Sequence, residues 1–125
     1  MAVIRYITNG TYLGIMKKML EEEVADNLKP LKERVAKLVE RYEESVNNVK
    51  ECGNQDRQDF LARRLYEMTA ELFMSLLIIA DASKAPELFA KSANVYVRMT
   101  EEAVIGSHAF IANFKVEDLE SYKAR

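Results

Sequence analysis

Apolar residues recur every three or four positions along almost the whole chain, the spacing that gathers them on one side of an α-helix. A first segment from about Thr11 to Ala25 carries Tyr12, Ile15, Met16, Met19 and Leu20 on one face. Its remaining positions hold Lys17, Lys18 and the acidic run Glu21 to Glu23. A second, starting between Asn27 and Pro30, has its seam at Leu31, Val35, Leu38, Tyr42, Val46 and Val49. Charged residues fill its opposite side, with Glu33 and Lys37 at the favourable spacing of four. A third opens near Asp56, expected to cap it, and follows Leu61, Leu65, Met68, Leu72, Leu76 and Ile79. Its second half is apolar nearly all round, so this helix is expected to be the most buried. A fourth, from Glu87 to Asn113, places Leu88, Phe89, Val95, Tyr96, Met99, Ala103, Val104, Phe110 and Ile111 as its apolar set.

The punctuation agrees with this division. Ala2 to Ile7 reads as the closing turns of a preceding, truncated helix ended by Thr8-Asn9-Gly10, where glycine suits a left-handed position. Gly53 stops the second segment, and Ser83-Lys84-Ala85-Pro86 separates the third from the fourth. Gly106 inside the fourth suggests a close helix contact or a kink. A short helix over Val116 to Tyr122 completes the chain, with fraying expected beyond it. Long helices joined by short connections make antiparallel neighbours. The expected fold is all-α: a single-domain, up-down bundle of about four helices plus a short C-terminal one, spanning 1–125.

Composition narrows the function. With 4 Gly and 2 Pro in 125 residues, a turn-rich β fold is excluded, and 49% apolar residues provide for a core. Net charge is −2, and its 18 basic residues are interspersed with acidic ones, so nucleic acid is not an expected partner. The longest uncharged apolar run, Leu72 to Ala80, falls well short of the ~20 residues that cross a bilayer. One cysteine cannot form an internal disulfide, and a cytoplasmic protein is expected.

Candidate chemistry is sparse. A di-metal bundle needs paired Glu-x-x-His elements, but His108 is the sole histidine and the residue three before it is Ile105. It is read as a structural or surface histidine. Cys52 stands at a helix C-terminus, whose negative end is expected to raise its pKa, so it is not read as a nucleophile. Arg57, Arg63 and Arg64 form a cluster that either binds an anion or pairs with Asp56, Asp59 and Glu67. No glycine-rich phosphate cradle occurs. The expectation is no catalytic, cofactor-binding or metal-binding residue in this chain.

Several stretches nevertheless resemble the C-terminal extra helical domain of bacterial acyl-CoA dehydrogenases. They are Ala2-Val3-Ile4-Arg5, Thr11-Tyr12-Leu13, Leu61-Ala62-Arg63-Arg64-Leu65-Tyr66 leading into Leu76-Leu77, and the Ala-dotted helix from Ala90 to Ala112. The resemblance spans nearly the whole chain in general texture. It implies a fragment lying after the Glu-Gly-Thr element that carries the family's catalytic base. Asn9-Gly10-Thr11 mimics that element with an amide that cannot abstract a proton. The implied parent oxidises acyl-CoA to 2,3-enoyl-CoA with FAD, and the fragment is a non-catalytic accessory domain docking on the catalytic body or at a dimer interface. Tyr12, Leu13, Tyr96 and Phe110 are expected to face the parent's other domains. The competing readings are a freestanding adaptor that accepts an amphipathic helix and a small ligand carrier.

Overall fold

A computed structural model describes residues 2–123, with side chains over 5–121. The side chains of Ala2, Val3 and Ile4, and the expected fraying at 124–125, lie outside the described residues. Six α-helices follow one another: α1 (Ala2–Thr8), α2 (Thr11–Glu21), α3 (Lys29–Glu51), α4 (Gln55–Lys84), α5 (Pro86–Asn113) and α6 (Asp118–Lys123). A 3-10 turn over Asp26–Leu28 precedes α3, so the first segment ends four residues earlier than its apolar pattern suggests. No strand occurs among the described residues.

Local signals explain the boundaries. Gly10, at φ 84°, turns α1 into α2, and Gly53, at φ 67°, separates α3 from α4. Both are left-handed conformations in which a Cβ is unfavourable. Pro30 and Pro86 lie in the first turns of α3 and α5, where a missing amide costs nothing. The cap of α4 is Asn54 rather than Asp56: its Oδ1 accepts from the Arg57 amide at 2.9 Å. Asp56 instead lies inside the first turn, where its charge still suits the helix dipole.

Side-chain pairs fix the helix directions. Tyr42 meets Thr69 and Asn48 meets Arg57, so α3 and α4 run antiparallel. Ser75 meets Thr100 and Arg57 reaches Ile111, so α4 and α5 do too. Arg34 with Glu101 and Glu44 with His108 make α3 and α5 parallel. Lys17 with Glu43 and Lys32 with the Glu22 carbonyl set α2 against α3. The topology is up-down-up-down, as expected, with α1 folded back beside α2.

All six expected seam positions of α3 and all six of α4 are buried. They join Ile7 of α1, Met16 of α2, Val97, Val104 and Ile111 of α5, Phe114, and Leu119 of α6 in one cluster. Burying each such side chain contributes roughly 1.5–3 kcal/mol. The expectation that α4 is the most buried helix holds among the described residues, with eleven buried positions against eight in α3 and six in α5. Its second half still reaches solvent at Met74 and Leu77, each 50% exposed, because a helix that is apolar all round carries no polar face to mark its solvent side. The seam of α5 keeps Val104 and Ile111 of the expected set but leaves Leu88, Val95 and Met99 outside, with a consequence for the site.

Candidate functional site

The buried positions of α5 are Ala93, Val97, Thr100, Val104, Ser107 and Ile111. They are spaced by three and four, with small or hydroxyl-bearing residues at half of the contacts, which lets α5 approach α4 closely. Ser75 and Thr100 satisfy each other across that contact at 2.7 Å. Leu88, Val95 and Met99, expected in the core, turn outward and are 69%, 61% and 58% exposed. Val95 and Met99 border a groove of about 380 Å³ with Ile78, Lys91, Ser92 and Tyr96. Met74 and Leu77 share the side of α4 that bears Ile78, extending the apolar surface. A contiguous apolar face of this kind marks a contact surface more often than scattered single residues do. The usable sequence signal was the second stripe through Ala93, Thr100 and Ser107.

The expected contact residues are each half-buried, and three of them also make internal contacts. Tyr12 sets its ring edge-on to Phe73, with centroids 5.8 Å apart, and Tyr12 and Leu13 both pack on the core. Phe110 stacks on Phe114 at 5.4 Å and lies 3.6 Å beneath the Arg64 guanidinium. Tyr96 is half-buried on the groove wall, and burial together with the Glu71 carboxylate raises its phenol pKa.

The arginine cluster is not a common patch. Arg63 is exposed and pairs with Glu67 at 3.4 Å, while Arg64 covers Phe110. Arg57 is buried, 5% exposed. Its Nε donates to the Phe114 carbonyl at 3.1 Å, and its Nη2 donates to Asn48 Oδ1 at 2.8 Å and to the Ile111 and Phe114 carbonyls. One guanidinium thereby fastens the end of α5 to the α3–α4 corner. His108 Nε2 lies 2.8 Å from Glu44 Oε2, tying α5 to α3. Gly106 has nothing within 4 Å of a Cβ built on it, so neither close packing nor crowding explains it.

The Cys52 expectation reverses. Burial pushes its thiol up, but a backbone hydrogen bond at Asn54, the Arg57 guanidinium and Gln58 outweigh this and leave the pKa below its ordinary value. The sequence argument counted the C-terminus of α3 but not the cation folded over from α4.

Among the described residues, no set of three His, Cys, Asp or Glu side chains could hold a metal. A second groove of about 600 Å³ runs along α5 and α6, lined by Gly106, Ala109, Phe110, Asn113, Phe114, Asp118 and Ser121. Asp118 is the charged member of that lining, which would repel a dinucleotide's pyrophosphate. No helix among the described residues is long and apolar enough to cross a membrane.

Fold and surface together define a helical-bundle domain distinguished by an apolar outer face. The comparisons give it a family: residues 8–119 match the family described as acyl-CoA dehydrogenase C terminal, and the chain belongs to it. It is also similar to the solved acyl-CoA dehydrogenase family protein from Porphyromonas gingivalis, at 34% identity and a TM-score of 0.85. That match covers 92% of this chain and 99% of the other. No curated protein matches.

Proposed function

We propose that this chain is one non-catalytic accessory domain of a cytoplasmic, FAD-dependent acyl-CoA dehydrogenase, and that it docks on the catalytic body through the α4–α5 outer face. The observation that carries this reading is the outward turn of Leu88, Val95 and Met99 on a helix that already has a complete inner seam. Membership of the C-terminal family supports a parent of that kind. The parent's flavin and catalytic base would lie in its other domains, and no step of the oxidation runs through residues of this chain. Pairing of two copies through the same face is the companion expectation for a dimeric parent.

The test mixes the purified chain with the flavin-loaded catalytic body of its parent and measures binding by calorimetry. Binding of the wild type, reduced at least tenfold by Val95→Asp with Met99→Asp, supports the proposal. A parent that binds no flavin, or a doubly substituted chain that binds as well as wild type, sinks it. Capture of an amphipathic helix instead of the catalytic body would favour the adaptor reading, which draws on the same exposed stripe.

A further inference from the structure

Two features of α5 have no use within one copy of the fold. Leu88 is the most exposed large apolar side chain among the described residues, at 69%. Gly106 is not in a left-handed conformation and has open space where a Cβ would stand, although glycine weakens a helix interior. They are eighteen residues apart, five full turns, so both lie on one side of α5, about 27 Å apart. On that same outer side Val95 stands seven residues after Leu88, and Met99 seven before Gly106. The stripe is therefore symmetric about the level of Val97, large at one end and bare at the other.

Turning a second α5 end over end about that level sets Leu88 of each copy opposite Gly106 of the other, and Val95 opposite Met99. Gly106 opens onto the groove of about 600 Å³ that it lines with Ala109 and Phe110, which has room for a leucine side chain. Charges match in the same register. Lys91 and Glu102 are exposed on one flank of the stripe, and the rotation brings each lysine level with the other copy's glutamate. Arg98 lies further out on that flank, at the solvent rim, with Glu101 of its own helix as a charge partner. A parallel pairing would instead set lysine on lysine and glutamate on glutamate, and would leave the glycine socket unfilled.

We propose that two copies of this chain pair through antiparallel α5 helices, each Leu88 seated over the other's Gly106 at the mouth of the α5–α6 groove. The interface is isologous, the same patch serving both copies, and it closes at two. It rests on the companion expectation above, that two copies meet through this face, and gives that pairing its axis and register.

Sedimentation equilibrium of the chain alone, over a range of concentrations, should show a reversible dimer. Gly106→Leu fills the socket and should weaken the dimer by about tenfold or more. The same change should leave the melting temperature of the dilute chain unchanged or higher, because leucine favours a helix over glycine and nothing in one copy obstructs it. Leu88→Ala, at an exposed position, should weaken pairing likewise. Lys91→Glu and Glu102→Lys should each weaken the dimer, and the two together should restore it. A chain monomeric at every concentration overturns the proposal. So does a Gly106→Leu chain that pairs as tightly as wild type, or a doubly swapped chain that pairs no better than the single variants. A chain that stays monomeric yet binds the catalytic body overturns the pairing and leaves the docking reading standing. A chain that pairs in this register yet ignores the catalytic body supports the pairing and sinks the docking.

Discussion

The Tyr42 hydroxyl and Thr69 Oγ1 lie 2.7 Å apart in the centre of the bundle, and the Thr69 hydroxyl donates to the Leu65 carbonyl at 2.7 Å. Thr69 has a single hydroxyl hydrogen, so Tyr42 must be the donor between them. The order of this relay makes the two ends unequal. Thr69→Val strands a buried phenol with no acceptor, at a cost of about 1–3 kcal/mol, whereas Tyr42→Phe leaves Thr69 still bonded to Leu65 and costs roughly 1 kcal/mol. Urea unfolding of the two variants should rank them in that order.

The same phenol sets an alkaline limit. Burial pushes the Tyr42 pKa up to about 12, and Thr69 opposes this by turning its hydroxyl from the Leu65 carbonyl to donate to the phenolate once it forms. In the unfolded chain a tyrosine ionises near pH ~10, so from there to about 12 the unfolded state loses the proton first. This contribution is fully present below pH ~10 and is lost as pH rises to about 12, roughly 3 kcal/mol in all. Ultraviolet titration should show a tyrosine ionising at about pH 12 that Tyr42→Phe removes, and the same variant should flatten the alkaline decline.

Ser75 and Thr100 are both fully buried, and each is the other's side-chain partner. Ser75→Ala and Thr100→Val each orphan a hydroxyl, while the double variant removes both. A double-mutant cycle should therefore show a coupling of about 1 kcal/mol, with the double variant less destabilised than the sum.

Arg34 donates to both carboxylate oxygens of Glu101, and that hydrogen bond holds the Glu101 carboxyl below its usual range against opposing burial. A depressed carboxylate stabilises above its unfolded pKa and loses that contribution as pH falls through the folded value. Solvent reaches both side chains, so Glu101→Gln should cost under ~1 kcal/mol at pH 7. The gap from wild type should close below pH ~4 in acid unfolding.

If the outer face of α5 serves contact and not folding, Val95→Asp and Met99→Asp should each change stability by less than ~0.5 kcal/mol. Val97→Asp, two positions along on a fully buried site, should unfold the chain. Circular dichroism melts distinguish the two outcomes.

Helix boundaries were legible because Gly10, Gly53, Pro30 and Pro86 act locally, through φ and missing amides. The α3 seam was legible because its charged face leaves one choice of inward side. On α5 two stripes follow the helical period, and the more apolar one through Val95 and Met99 attracted the assignment. Packing instead selected Ala93, Thr100 and Ser107, whose small volume permits close approach and whose hydroxyls find partners only across the interface. Arg57 escaped for a related reason. Besides Asn48, its acceptors Ile111 and Phe114 are more than fifty residues away at the end of α5, a separation that no local pattern encodes.

That long-range fastening also has a mechanical side. A pull on the chain beyond α5 is borne first by the carbonyls of Ile111 and Phe114, then by a planar fork of charge-assisted bonds, and only then by the α3–α4 corner. Tension applied at the C-terminal side is thus shared between the Arg57 fork and the Phe60–Phe114 stack, both of which end on the α3–α4 corner.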